Sequence, residues 1–273
     1  MGLVCLIFDQ HVVSFLVTIL AILGSVIFGA IWGIIPGYLQ AKRGSHIVIT
    51  TIMFNFIAAA LMVYLLVNVI IEPGQMSPET RDFASGVGLV QIHILAKYLG
   101  LEMAMSPLNL SFIVALTVSV GFWFLVWRTK FGYEVRSLGH SETAAIYAGI
   151  KVSSTIIIVM AISGGLAGLV AINELLGVHN KLLLGFTAGY GFTGIAVALM
   201  GRNHPVGIFL ASLLFGALYQ GGTELDFEFS SITREMVLLI QGLIILFSGA
   251  LAYMLNPLVE RIYIKYYGNY NNC

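Results

Sequence analysis

Long uninterrupted apolar runs constrain this chain more than any other feature. Mainly apolar stretches of about 20 residues, the length needed to cross a bilayer core as a helix, occur at roughly Val12–Leu39, Ile47–Ile71, Leu108–Trp127, Thr155–Leu176 and Met236–Leu255. A soluble fold has no use for so many. Of the 273 residues 59% are hydrophobic and 10% charged, against about 25% charged in an average soluble domain. Too little polar surface is available to cover a globule of this size, whereas lipid accepts an apolar exterior. Mean hydropathy is +0.95. The expected fold class is therefore an all-α polytopic membrane protein, one transmembrane domain over residues 1–273.

Formal net charge is zero, so nucleic acid is not an expected partner and the bilayer is. Cys5 and Cys273 stand near opposite ends with no metal-ligand or disulfide spacing. His46, His93, His140 and His204 fall in separate loops and form no metal set.

Two segments break the pattern. Glu72 to Ser106 is polar, contains Pro73 and Pro78, and carries Glu72, Glu79, Asp82 and Glu102 against Arg81 and Lys97. Within it, Val87 to Leu99 is short and amphipathic, as expected of a helix lying along the interface. Gly189 to Gln220 holds two short apolar arms, Gly189–Met200 and Val206–Gln220, around Gly201-Arg202-Asn203-His204-Pro205, a strong turn signal. Pro36-Gly37 is expected to end the first span.

Lys and Arg in short loops mark the cytoplasmic side. By that rule Lys42-Arg43, the 128–151 loop and the tail with Arg261 and Lys265 are cytoplasmic, and the acidic loops lie outside. The tail reaches the inside only if residues 189–220 form a helical hairpin turning at Arg202. The same count puts residues 1–11 outside with no signal segment, so further spans are expected upstream.

The 128–151 loop is the most informative hydrophilic segment. Ser141 can cap a short helix starting at Glu142, an acid favoured at the positive helix end. Ala144, Ala145 and Ala148 leave a small face, and Gly149 can end the helix. Such a helix can seat in a groove of a soluble partner, or simply join two spans along the interface.

Glu142-x-Ala144-Ala145-x-x-x-Gly149 resembles the coupling-helix signature of ATP-binding cassette importer permeases, with one residue inserted after the Glu. Arg136 to Ile150 is similar to the form in the branched-chain amino acid and simple-sugar permease family. A longer match runs from Gly185 to Gly207 (Gly-Phe-Thr-Ala-Gly-Tyr-Gly-Phe-Thr-Gly-Ile-Ala-Val-Ala-Leu-Met-Gly-Arg-Asn-His-Pro-Val-Gly). Ser163–Gly168 with Asn173-Glu174, and Trp32–Gly37 with Thr50–Asn55, add to it. The resemblance is greatest to nucleoside and simple-sugar permeases served by a surface lipoprotein. It implies an ATP-driven importer with a second permease subunit, identical or different, an extracellular substrate-binding lipoprotein and a cytoplasmic ATPase. It also implies that Arg136, Gly139, Glu142, Ala144, Ala145 and Gly149 couple to that ATPase. Family members carry additional N-terminal spans with an Asn-x-Gly-x-Glu-Gly segment, which these residues lack. No G-x-x-x-x-G-K-[ST] phosphate loop occurs in the sequence, so the chain is expected to be no enzyme, to bind no cofactor itself, and to leave ATP to its partner.

The residues considered for a substrate pathway are Asn55, Glu174, Tyr190 and Phe192. Glu174 near a span end either lines an outer vestibule or sits hydrated at the interface. Asn55 either contacts substrate or hydrogen-bonds across helices. Gly164, Gly165 and Gly168, and Gly189, Gly191 and Gly194, are expected to serve close helix packing, and Arg202 to snorkel to the interface. The alternative to an ATP-driven importer is an ion-coupled secondary transporter, which the scarcity of acids within the spans disfavours.

Overall fold

The computed structural model describes residues 1–9, 14–71, 74, 77–84, 86–92, 94, 97, 108–187, 189–228, 236–237, 239–244 and 246–247. Among them the chain is helical and, apart from isolated bridges, without strands. Five helical stretches are long and apolar enough to cross a membrane: Ser14–Arg43, Ile47–Ile70, Ser111–Arg128, Val152–His179 and Pro205–Leu225. The protein is an all-α polytopic membrane protein. It divides into two compact units, Met1–Ala188 and Gly189–Cys273.

In the first unit, α1 (Gly2–Phe8) precedes α2 (Ser14–Arg43). Helix α3 (Ile47–Leu65) continues as a π-helical turn, Leu66–Ile70. Then come α4 (Ser111–Arg128), α5 (Lys130–His140), α6 (Glu142–Tyr147) and α7 (Val152–Gly168), the last followed by a π-helical segment, Ile172–His179. Few side chains of the spans are buried, as a lipid-facing surface requires. Even large residues such as Phe28, Phe56 and Val120 lie open.

The first span does not end at Pro36-Gly37. Helix α2 runs through Pro36 to Arg43. Proline forfeits one backbone hydrogen bond and crowds the preceding turn, but membrane helices tolerate it where a neighbour supports the backbone. Here Pro36 and Gly37 are buried, and Gly37 lies against Met160 of α7.

That contact belongs to a seam. Gly29, Gly33 and Gly37, at four-residue spacing, meet Met160, Gly164 and Gly168 of α7. A Cβ on Gly33 would stand 2.5 Å from the Met160 carbonyl oxygen, and one on Gly164 would collide with the backbone of Gly29. Small residues at such spacing let helix backbones approach and gain dispersion contacts in lipid. The packing role expected of Gly164 and Gly168 is met, and the glycines of α2 supply the other half.

The predicted interfacial helix at Val87–Leu99 is not formed over its described start. Residues 87–91 are not helical, whereas Ile92, Ile94 and Lys97 further along the segment are. The Leu89 amide donates to the Leu176 carbonyl at 2.8 Å and the Leu110 amide to the Val90 carbonyl at 3.2 Å. Val87 is buried with Cys5, Val17, Leu175 and Leu176. Pairing on both sides and a buried apolar residue outweigh the amphipathic pattern.

In the second unit, α8 (Tyr190–Met200) and α9 (Pro205–Glu228) form the expected hairpin. The turn places Arg202 and Asn203 at φ 52° and 54°, and Ala196 and Val197 pack on Ala211 and Phe215. The arms are unequal, contrary to expectation. Helix α8 has 11 residues, but α9 has 24, about 36 Å at 1.5 Å per residue. The apolar stretch to Gln220 extends by a helical turn or more through residues able to continue it. The predicted span Met236–Leu255 is helical where described and otherwise lies outside the described residues, as do Arg261 and Lys265.

Candidate functional site

The segment from α4 to α7 builds a compact, solvent-facing corner. Thr129 caps α5 by accepting from the Gly132 amide at 3.1 Å. Gly132 is buried against the Leu125 and Val126 carbonyls, where a Cβ would not fit. Arg128 lies over Trp123 at 5.6 Å and Arg136 over Trp127 at 4.8 Å, cation–π distances that draw both guanidinium groups back onto α4. Arg136 Nε is buried with no hydrogen-bond partner.

Helix α6 is fastened at both ends by its own sequence. Ser141 Oγ accepts from the Ala144 amide at 3.3 Å. At the other end the Ile150 amide donates to the Ala145 carbonyl and the Gly149 amide to that of Ile146. This is a Schellman closure, with Gly149 at φ +80°. The expected cap, start and stop are all present. Ala145 is buried, whereas Glu142, Ala144, Gly149 and Gly139 are exposed. Tyr147, not singled out from the sequence, is 94% exposed and is the largest group α6 offers. Ser153 Oγ donates to the Ala41 carbonyl at 3.2 Å, tying the start of α7 to the end of α2.

Glu174 sits elsewhere in the same unit, in the π-helical segment Ile172–His179 that follows α7. It is buried, not hydrated at a boundary. Its Oε1 accepts from Asn173 Nδ2 at 3.0 Å, and His179 Nε2 stands 3.7 Å from Oε2. Asn173 Oδ1 in turn accepts from Asn109 Nδ2 at 3.1 Å and Ser111 Oγ at 2.9 Å. Asn109 occupies the space a side chain at Gly177 would need. The chain around Thr80 pairs with Leu182, amide to carbonyl at 3.0 Å, and Lys181 meets Glu79 at 3.0 Å. Arg81 grips Asp9 through both guanidinium nitrogens at 2.8 Å, and the Ala84 amide adds a third bond to that carboxylate. Asp9, Asn109 and Ser111 were not expected as partners. An isolated acid closing an apolar run, as Asp9 does, is a signal that a partner exists. Asn55 lies on the exposed face of α3, and Tyr190 and Phe192 are exposed on α8 in the second unit.

The family model described as "branched-chain amino acid transport system / permease component" matches residues 3–249. The chain belongs to that family. Among curated relatives it is similar to the guanosine ABC transporter permease of Bacillus subtilis, 35% identical over 246 residues, covering 89% of this chain and 68% of the relative. The glucose ABC transporter permease of Haloferax volcanii is 31% identical over 234 residues, 84% of this chain and 60% of its own length. A nucleoside ABC transporter permease of Lactococcus lactis is 31% identical over 229 residues, 84% of this chain and 62% of its own length. The chain thus spans roughly two thirds of the curated relatives it matches. No solved structure gives a significant match.

Within this permease family the match takes in the α4–α7 corner, the buried Glu174 network and the α8–α9 hairpin. The residues expected to couple lie on the consecutive helices α5 and α6 and, for Gly149, on the turn that closes α6. Of the substrate-pathway candidates in the first unit, Glu174 is engaged by Asn173 and His179, and Asn55 is not part of that network.

Proposed function

We propose that this chain is the membrane-spanning permease subunit of an ATP-driven importer for nucleosides or simple sugars. A separate ATP-binding cassette ATPase pushes on it through residues 136–150. The single observation that carries the reading is α6, a short helix closed by its own caps, exposed on three sides, and placed in a chain whose relatives are named guanosine, glucose and nucleoside ABC transporter permeases. Local caps let such a helix keep its shape while a partner grips it. Ala144 and Ala148 allow close approach, and Glu142 and Tyr147 supply the polar and aromatic contacts. The permease hydrolyses nothing itself, and ATP is used by the partner. A second permease subunit completes the pathway and an extracellular lipoprotein delivers the solute. The loops bearing Lys42-Arg43 and 128–151 face the cytoplasm.

Isolation of the chain from native membranes in mild detergent, with mass spectrometry of what accompanies it, tests the assembly. Co-purification of an ATPase with a phosphate loop and a binding lipoprotein is expected. Recovery alone with ATP-independent uptake overturns the reading. Glu142→Arg and Gly149→Trp are expected to uncouple ATP hydrolysis from uptake while leaving insertion intact.

A further inference from the structure

The second arm of the hairpin, read from the sequence as apolar, carries a polar face. Ser212, Gly216, Gln220 and Glu224 recur on α9 at four-residue spacing and so share one side of the helix. Thr223 and Tyr219 border that side. Ser212, Gly216, Gln220, Thr223 and Glu224 are exposed, and a Cβ on Gly216 would meet nothing within 4 Å. The helix meets its described neighbours on another side, where Ala211 and Phe215 are buried with Ala196 and Val197 of α8 and Gly222 lies against Val237. Exposed Leu210, Leu214 and Leu225 make up a third, apolar side.

The leucines suit lipid, and the polar side does not. Helix α9 belongs to a stretch long and apolar enough to cross a membrane, Pro205–Leu225. Gln220 stands about 22 Å along it from Pro205 at 1.5 Å per residue, inside a hydrocarbon core of about 30 Å. At that depth lipid offers an amide or a carboxylate no partner. Gln220 Nε2 donates to Glu224 Oε1 at 3.0 Å. The Thr223 hydroxyl donates to the Tyr219 carbonyl at 2.9 Å and that of Ser212 to the Phe209 carbonyl at 2.8 Å. The Gln220 carbonyl oxygen and Glu224 Oε2 have no hydrogen-bond partner among the described residues. Two acceptors side by side, one of them charged, call for a ligand with adjacent hydroxyl donors. A phosphate is repelled by the carboxylate, and a hard metal ion finds too few oxygens there.

We propose that this side of α9 lines the solute path, and that Gln220 and Glu224 bind two adjacent hydroxyl groups of the solute. Adjacent hydroxyls are what ribose and simple sugars have in common. The inference rests on the importer reading above and names the part of the solute that is recognised. One hydroxyl donates to Glu224 Oε2 and its neighbour to the Gln220 carbonyl, while the Gln220 amide holds the carboxylate in place. Gly216, one turn away, leaves the approach open. A site built to accept from a hydroxyl rejects an analogue that lacks it, because the acceptor is then left unpaired. The nucleobase, or the rest of the sugar, makes its contacts elsewhere.

The test has two arms, both on the full chain in its native membranes. The first replaces Cys5 and Cys273 by Ala and introduces Ser212→Cys, Gln220→Cys or Leu214→Cys. A charged methanethiosulfonate is then supplied to both membrane faces. Labelling of Ser212→Cys and Gln220→Cys is expected to be at least about tenfold faster than that of Leu214→Cys, since the thiolate that reacts forms only where water reaches. Equal rates at all three positions overturn the proposal. The second arm measures ATP-driven uptake of guanosine against 2′-deoxyguanosine, and of glucose against 2-deoxyglucose. Glu224→Gln is expected to raise KM about tenfold for the solute with both hydroxyls and less than about twofold for its deoxy analogue, with kcat little changed. Gln220→Ala is expected to do the same more weakly. Equal losses for a solute and its deoxy analogue, or no loss for either, overturn the assignment of the two residues to the hydroxyl pair. A wild-type chain that takes up none of these solutes with ATP strikes the importer reading, whereas the labelling arm still decides whether this side of α9 is wet.

Discussion

The two ends of the first unit are held by opposite means. At the end near Glu174, beside the local bonds of Glu174 to Asn173 and His179, long-range fastenings join residues far apart in sequence: Asp9 with Arg81, Asn109 with Asn173, Thr80 with Leu182. The bonds are partly buried; they tie residues 80–84 to the end of α1 and to Leu182, and Asn109 to the Ile172–His179 segment. At the other end, α6 is held by contacts three to five residues away, made in the open. Long-range polar bonds fix the position of residues 79–84, which belong to no helix. Local caps fix the shape of a helix and leave its position adjustable. The difference suits a protein in which one face must be set and the other must yield to a partner.

Removing the Arg81 side chain as Arg81→Met breaks this contrast most severely. It leaves the Asp9 carboxylate buried without its bidentate partner, a loss expected to cost about 3–5 kcal/mol, read as a fall in thermal midpoint in detergent. If the chain keeps its wild-type midpoint, the outer fastening is not what holds this end. Asn173→Ala comes next. It deprives Asn109 and Ser111 of their shared acceptor and is expected to destabilise by about 1–3 kcal/mol, with faster hydrogen exchange around residues 109–111.

Ser141→Ala is expected to cost only about 1 kcal/mol, with α6 fraying from its start and the outer end unaffected. A loss as large as that of Arg81→Met would erase the distinction between the two ends. The smallest effect concerns Cys5, buried in the cluster with Leu175 and Leu176. Burial, with the nearby Asp9 carboxylate adding to it, pushes its thiol up to about 11. At pH 8 the thiol stays protonated and the thiolate is scarce, so maleimide labelling of the folded chain is expected to be slow and to accelerate on unfolding.

The same contrast explains what the sequence made legible. Periodicity and length marked the spans, and the cap, start and stop of α6 followed from Ser141, Glu142 and Gly149, because each signal and its partner lie within one turn. Asp9–Arg81 spans 72 positions, and nothing local in either residue names the other. Glu174 read from the sequence as a vestibule lining or, in preference, a hydrated boundary residue, and it is buried instead. The network around it is revealed by the long-range partners of its neighbour Asn173, which are Asn109 and Ser111 at the start of α4. Pro36 misled for a related reason. Its local meaning is a stop, and the backbone of α7 overrides it. The roles of Asn55, Tyr190 and Phe192 depend on surfaces that a single chain's sequence does not describe.

The glycine seam between α2 and α7 has a genetic consequence. Every single-base change in a glycine codon that alters the amino acid adds at least a Cβ, and at Gly29, Gly33, Gly164 and Gly168 a Cβ meets backbone on the facing helix. Rotamer adjustment cannot absorb such an encounter, since the obstacle is main chain. No gentle missense step therefore leads away from these positions. Lineages that diverge freely over the lipid-facing residues should keep these glycines, or exchange them only together with a shift of the opposite helix.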